Sequence, residues 1–533
     1  MQNLPFGETL MATKTRKNKN SKTTVRFIGK PTGQIQERVQ KVGPQHFGIV
    51  SVDCAKRRSK WMLCDFYGRV LVEPTVVEHT RSGLDMMTQS ITIARQTHHL
   101  KDLIVAVEMT GIYHRPVQRA CRDAGFETRL VHPFASKHFH KPLHTDDKTD
   151  DHDLEAIFHA VAQGYGLEIK PLDEIYLSLQ LLTRHRSRLV KQKARLQIQI
   201  RQLMHQSMPG YADLFEDDNF FNKSIAISVA KKFSSAKEIH DAGVKSISAY
   251  LKKNKIRFQA PTVEKIVAWA SNAADAAPLG KMLTMQWLEL NDLRFQMVEN
   301  VVRIEREMAG FLAKTPYVLL LSVTGINVVS AGALAGEAGP LNRYANSRSM
   351  IGRAGLFPSR YQSDEVDRPN GKLVRQGNKR LRVALLTIAE NLIKCHSYYR
   401  GYSALLTQQK VHPRDRRCRV ANKASRMIFQ IVGGRQVWRG KGVDREYLLY
   451  KLKEFHRTHR SPATQTVGDL NEAFKWLPKS SYREEAEQLS VAAGKRRRGV
   501  TSLGDLLIPL LIRLGVPASD EVDSSSSEAR DSH

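Results

Sequence analysis

The chain is short of cysteine, of acid and of long apolar runs, and each shortage removes a class of protein. Its 5 cysteines (Cys54, Cys64, Cys121, Cys395 and Cys418) are scattered over 533 residues without a Cys-x-x-Cys pair. That argues against a disulfide framework or a thiolate zinc site, and it suits a reducing cytoplasm. No uninterrupted apolar stretch approaches the ~20 residues of a membrane span, and no signal-peptide core stands near Met1. No Walker-type glycine loop occurs, so ATP is not implied. Acids are outnumbered: 53 Asp+Glu face 83 Lys+Arg, for a formal net charge of +30. An excess of that size fits a polyanionic partner, DNA or RNA, held through phosphate contacts and counterion release. Charge alone says nothing about chemistry.

Against this basic background stands one acidic knot, His144-Thr-Asp-Asp-Lys-Thr-Asp-Asp-His-Asp-Leu-Glu-Ala156. Carboxylates this close repel one another, so their clustering needs a cause. A helix N-terminus is one, since Thr and Asp cap it and its dipole favours anions. A divalent cation held by converging carboxylates is another. Asp150 and Asp153 are three apart and share one helix face. Asp146, Asp147, Asp151 and Glu155 are rival donors that spacing does not remove. His132, His138, His140, His144 and His152 crowd the same region, but no zinc motif accompanies them, and they read as loop histidines near phosphate.

Residues 1–45 are polar, basic and aperiodic, and read as a disordered tail. Over 46–170 short apolar runs alternate with helical stretches, the pattern of an α/β sheet. Phe47-Gly-Ile-Val-Ser-Val-Asp53 and Leu103-Ile-Val-Ala-Val-Glu108 are two such runs, and each ends in an acid. Over 171–315 the chain is helical. Ile175, Leu182, Leu189, Leu196 and Leu203 fall on every seventh residue, and Leu290, Met297 and Ile304 form a second seam. Two such helices suit an antiparallel arm within one chain or a coil between subunits. An apolar, Gly-rich stretch opens the segment 316–435; 436–515 is a basic helical extension, and 516–533 a Ser-rich disordered tail.

Ligands of α/β sheets gather at the C-terminal ends of strands. Asp53 and Glu108 sit at two such ends, and the Asp150/Asp153 helix can pack beside them. Four carboxylates holding two Mg²⁺ ions would activate a hydroxyl and stabilise the leaving oxygen of a phosphodiester.

Val52-Asp53-Cys-Ala-Lys56, Val107-Glu108-Met-Thr-Gly-Ile-Tyr113, His132-Pro133 and Lys148-Thr-Asp150-x-x-Asp153 resemble the signature blocks of the DEDD transposases of insertion-sequence family 110. The resemblance covers about 46–170 and 316–435. It implies an α/β plus α architecture: a RuvC-like, ribonuclease H-type N-terminal domain, a long coiled-coil middle and a mainly helical C-terminal transposase domain. By that resemblance Asp53, Glu108, Asp150 and Asp153 are the catalytic, Mg²⁺-binding acids.

Leu321-Ser-Val-Thr-Gly-Ile-Asn327 resembles a helix-hairpin-helix turn, with Gly325 and Asn327 as nucleic-acid contacts; a plain apolar helix pair is the other reading. Thr324 replaces the usual Pro and Asn327 the second Gly. Ala354-Gly-Leu-Phe-Pro358-Ser-Arg-Tyr-Gln-Ser363 is similar to the family block that ends in a serine nucleophile. The match falls on Ser363, with Ser359 as a rival and Asp364 where the family has Gly. A serine hydroxyl needs a base, metal or cation to attack. Arg360, Arg375 and Arg380 are the cations placed to neutralise phosphorane charge, and Arg375-Gln-Gly-Asn matches a block that usually begins with Lys. The resemblance implies DNA as substrate, a guide noncoding RNA, a homo-oligomer (dimer or tetramer) and a prokaryotic, nucleoid-associated location. A metal-dependent RuvC-like nuclease and a non-enzymatic nucleic-acid-binding protein are the alternatives.

Overall fold

A computed structural model describes residues 35–143, 149–168, 172–215, 220–274, 280–363, 366–368, 371, 373–374, 377–438 and 447–477. His144, Asp146, Asp147, Asp364, Arg375, most of the basic tail, the Lys495-Arg-Arg-Arg498 cluster and the Ser-rich end lie outside the described residues. The chain divides into two compact units, Met1–Pro171 and Leu172–His533.

The first unit runs α1 (Gln36–Val42), β1 (Phe47–Cys54), β2 (Arg58–Asp65), β3 (Val70–Glu78), α2 (Arg81–Thr97), β4 (Asp102–Glu108), α3 (His114–Asp123), β5 (Glu127–Val131), α4 (Pro133–Leu143), α5 (Asp150–Ala162) and β6 (Leu167–Glu168). The strands form one mixed sheet in the order β3-β2-β1-β4-β5-β6. β1, β4 and β5 are parallel; the β1–β2, β2–β3 and β5–β6 pairs are antiparallel. Strand side chains alternate between faces, and both faces here are apolar. Val50, Val52, Val105 and Val107 pack under α2 and α3 through Met87, Ile91, Val117 and Cys121. Phe47, Ile49, Ile104 and Ala106 pack on the other face under α5 through Leu154, Ile157 and Val161. Covering both faces explains why β1 and β4 read as near-continuous apolar runs.

The second unit begins with α6 (Glu174–Ser207), followed by α7 (Ser224–Lys232), α8 (Ala236–Lys253), α9 (Ala260–Ser271) and α10 (Gly280–Ala313). The two heptad seams pair with each other. Leu189 is buried with Ile304 and Met308, while Ile200 and Met204 meet Trp287, so α6 and α10 are antiparallel. One core closes the far end of this arm from α7, α8 and α9. A second core gathers Leu179 of α6 and Leu312 of α10 with the helices that follow. Those are α11 (Val328–Ala338), α12 (Ser347–Ala354), α13 (Lys379–Cys395), α14 (Ser397–Gln408), α15 (Pro413–Ile428), α16 (Tyr447–Thr458) and α17 (Ala463–Phe474). The segment after 436, basic by composition, thus adds Leu448, Leu452 and Leu470 to this core. A short hairpin, β7 (Tyr361–Ser363) with β8 (Val366–Arg368), lies between α12 and α13.

Two close contacts lock α11 onto α6. A Cβ on Gly336 would stand 2.7 Å from the backbone N of Gln180, so only glycine allows this approach. Next to it, buried Glu337 accepts two hydrogen bonds from Arg184 of α6, at 2.7 and 3.0 Å. The pairing supplies the cation that a buried carboxylate requires.

Candidate metal centre and serine loop

β1 and β4 are adjacent and parallel, with Val52 opposite Val107. The next residue on each strand is an acid, so Asp53 and Glu108 emerge side by side at the C-terminal edge. The two-residue period puts both on the face that α5 covers, in line with Ile49 and Ala106. α5 enters there with Thr149 as its N-cap, the Thr149 hydroxyl accepting the His152 N–H at 3.3 Å. Its buried Leu154, Ile157, Phe158 and Val161 hold the helix down on the sheet. The first turn of α5 therefore projects over the strand ends. One carboxylate oxygen each from Asp53, Asp150 and Asp153 lie within 4.8 Å of one another.

Asp151 is the rival that the geometry removes from this cluster. It lies about 100° round the helix from Asp150 and pairs with Lys60 Nζ at 2.6 Å. Lys60 is the cross-strand partner of Asp53 on β2. Glu108 stands outside the converging trio but next to Asp53, and it accepts a hydrogen bond from the Ser136 hydroxyl of α4. Burial, then the charges of Glu108, Asp153 and Asp150, push the Asp53 carboxyl up to about 6 from 3.8. A carboxylate raised in this way is relieved by a cation. An all-oxygen donor set fits a hard divalent ion. Among the described residues no histidine joins a metal-capable cluster.

Cations line the same edge of the sheet. Since β3 is parallel to β1 through β2, α2 and α3 both start at the edge where Asp53 and Glu108 end. Between these helices lies a cleft of about 850 Å³ lined by Arg81, Arg115 and Arg119, with Asp85 and Asp123 among them. The three arginines are exposed and form no ion pair among the described residues.

In the second unit Ser363 ends β7, is exposed, and pairs with Val366 across the tip of the β7–β8 hairpin. Ser359 is placed differently. Its carbonyl accepts the Gly371 N–H at 2.9 Å, and a Cβ on Gly371 would stand 2.5 Å from its hydroxyl. Arg360 and Arg380 are exposed, Arg380 in the first turn of α13. Gly325 has φ +95° in the turn between a 3-10 helix (Pro316–Ser322) and α11, and a Cβ there would meet the Asn391 carbonyl at 2.9 Å. Asn327 caps α11: its side chain accepts from Ser330 N at 2.9 Å, and the Ser330 hydroxyl accepts from Asn327 N at 3.1 Å.

Several supporting residues carried no local signal. Ser136, Lys60 and the Arg184–Glu337 pair join segments far apart in sequence. Arg382 donates to the Ala354 carbonyl at 2.8 Å and to the Val374 carbonyl at 2.7 Å, tying both roots of the serine-bearing loop to α13. Asn378 caps α13 and donates to Glu337 at 3.2 Å. The Gly377-Asn378 dipeptide, read by resemblance alone, thus has a structural task.

Two family profiles match the chain. One, described as "Transposase", covers residues 50–209, and the second, described as "Transposase IS116/IS110/IS902 family", covers 317–404. A "Probable family 20 transposase" of Pseudomonas aeruginosa is 25% identical over 297 residues, 56% of this chain and 73% of that protein. The "Transposase for insertion sequence element IS1328" of Yersinia enterocolitica is 24% identical over 332 residues, 62% of this chain and 83% of its own. A mixed sheet with acids converging at one edge, followed by a mainly helical unit, is compatible with a RuvC-like transposase. With these matches the chain is an enzyme, a transposase that acts on DNA. It belongs to the IS110 family of DEDD transposases. No helix among the described residues is long and apolar enough to cross a membrane.

Proposed function

We propose that this transposase cuts and exchanges DNA strands through a serine–phosphate intermediate, with Mg²⁺ held by Asp53, Asp150, Asp153 and Glu108. The observation that carries the metal reading is the convergence of three carboxylate oxygens within 4.8 Å, in a chain of net charge +30. Bound there, the cation would supply Lewis-acid stabilisation of phosphodiester oxygens. The chain's own residues do the rest. Ser136 orients Glu108, and Lys60 draws Asp151 away from the trio.

Ser363 is the nucleophile in this reading. Its oxygen forms a bond to phosphorus, the bond from phosphorus to a sugar oxygen breaks, and the released sugar hydroxyl keeps a proton equivalent to the one serine loses. Attack by the hydroxyl of another strand reverses these steps and frees the serine. Arg360, Arg375 and Arg380 neutralise the phosphorane charge, while Gly325 and Asn327 contact the nucleic-acid backbone. The enzyme acts as a homo-oligomer and uses a noncoding RNA to choose donor and target DNA; the excess of cations supports a second polyanion.

Incubating the chain with DNA carrying the ends of its element tests the reading. A protease-sensitive, phenol-retained protein–DNA adduct is expected with Mg²⁺ and not with EDTA. Ser363→Ala should bind DNA but form no adduct, and Ser359→Ala should retain it. Mg²⁺-dependent cutting by Ser363→Ala at the wild-type rate would replace this reading with that of a RuvC-like nuclease.

A further inference from the structure

The Val323–Asn327 turn is held from behind by an amine that no local pattern announces. Lys451 of α16 donates from Nζ to the Val323 carbonyl at 2.6 Å and to the Ile326 carbonyl at 2.9 Å. Its ammonium also lies 4.4 Å from the centroid of the Tyr447 ring. Among the described residues no carboxylate stands within ion-pair distance of it. The titratable groups around it are the Cys395 thiol of α13 and the Tyr447 phenol. A largely desolvated ammonium without an anion is costly to keep. Burial accordingly pulls it down to about 8, with Cys395 opposing the shift.

The other side of the turn is complementary. The carbonyls of Val323 and Ile326 face Lys451, whereas no acceptor among the described residues meets the N–H groups of Thr324 and Gly325. Both residues are partly exposed, and the missing side chain of Gly325 lets the turn pack against the Asn391 carbonyl of α13. Two open N–H groups backed by an uncompensated ammonium make a seat for an anion. The chemical class that fits is a phosphodiester, since the turn offers donors only and no aromatic platform for a base.

We propose that Lys451 is a positioning residue that orders the Val323–Asn327 turn so that its Thr324 and Gly325 N–H groups receive a nucleic-acid phosphate. The inference rests on reading that turn as a nucleic-acid contact, and it brings in α16, which lies beyond the family-matched residues 317–404. Lys451 supplies the charge; the phosphate itself is met by backbone.

The test uses the full chain and a short fluorescein-labelled DNA duplex of mixed sequence. Lys451→Met should weaken binding about tenfold, the size of losing one hydrogen bond to a charged group. The dependence of affinity on salt should keep its slope, because no ionic phosphate contact is removed; a direct Lys–phosphate contact would instead lower the slope by about 0.9, and that result would overturn the positioning role. Lys451→Arg, which restores charge and donors, should recover binding. Hydrogen exchange gives the local readout: DNA should protect a peptide spanning 317–328 in the wild type and in Lys451→Arg, but not in Lys451→Met. If Lys451→Met does not fold, the wild-type pH profile decides. Binding should weaken as pH rises through about 8, and Lys451→Arg should flatten that fall; an unchanged profile overturns the proposal. Thr324→Glu separates the two ways of failing. Weakened binding in Thr324→Glu beside normal binding in Lys451→Met overturns the role of Lys451 alone, whereas normal binding in both overturns the turn as a DNA contact.

Discussion

Replacing Asp53 by Asn should stabilise the metal-free protein while abolishing DNA cleavage. The folded site holds the Asp53 carboxyl near 6 against an ordinary 3.8, through burial and three neighbouring acids. A carboxyl whose folded value is raised binds more protons folded than unfolded between these two values. Stability must therefore fall as pH climbs from about 4 to about 6, and it stays reduced above that. Two pH units correspond to roughly 3 kcal/mol. Asp53 keeps some solvent contact, so screening reduces this to about 1–2 kcal/mol. Asn keeps the shape and removes the charge, so the penalty disappears. For a unit of this size, 1–2 kcal/mol is about 2–8 °C in Tm. The assay is calorimetry of wild type and Asp53→Asn in EDTA, at pH 4 and at pH 8. The variant should melt higher at pH 8 and nearly level with wild type at pH 4. Equal gains at both pH values, or a loss at pH 8, would refute the argument that burial and neighbouring charge at Asp53 set the energetics of this site.

Four further outcomes follow from the same structure. Millimolar Mg²⁺ should raise the melting temperature of the wild type at pH 8 and leave Asp53→Asn nearly unmoved, since only a formed site binds the ion tightly. Ser136→Ala should leave the fold intact but slow single-turnover cleavage about tenfold, because Glu108 loses the hydroxyl that orients it. Arg184→Met should cost about 2–4 kcal/mol in denaturant unfolding by stranding Glu337, and adding Glu337→Gln should recover part of that loss. Leu196→Asp, on a half-buried seam position of α6, should lower the mass seen by light scattering if the arm joins subunits, whereas buried Leu189→Asp should unfold it.

What could be read from sequence was what local periodicity encodes. The runs ending in Asp53 and Glu108 announced strands, and neighbouring parallel strands place such acids together once their order is known. The heptads of Leu189 and Ile304 announced long helices, but whether they met each other or another subunit depended on the chain returning through α7, α8 and α9. The cluster at 144–156 left Asp146, Asp147, Asp151 and Glu155 as rivals of Asp150 and Asp153, since spacing alone does not rank them. Asp151 is held in an ion pair by Lys60, and a lysine 91 residues upstream carries no mark of that role. The same holds for Ser136, Arg184 and Lys451, whose partners are set by packing. The stretch holding α16 and α17 read as a basic helical extension, and in α16 the buried Leu448, Leu449 and Leu452 are interspersed with Lys, Arg and His, so composition masked its core contribution.

The capping and metal readings of the acidic knot turn out to need each other. Thr149 satisfies an N–H of the first turn, the one that His152 donates, while Asp150 and Asp153 each bring a carboxylate oxygen to the cluster with Asp53. The helix dipole then favours the negative charge that the two carry at that end. Asp53 receives no such help, because it ends a strand, and burial combines there with the repulsion. A cation entering the trio thus removes a cost that lies mainly on one residue. That residue sits in the central strand pair, where Val52 and Val107 fix its position to within a fraction of a residue spacing. The repulsion cannot be relaxed by moving Asp53 without breaking the sheet. The share that comes from Asp150 and Asp153 is relaxed by undocking α5, whose hold is the apolar row Leu154, Ile157 and Val161. Metal binding and the docking of α5 are for that reason one equilibrium: a variant that loosens the row, such as Ile157→Ala, should lose ion affinity without touching a ligand.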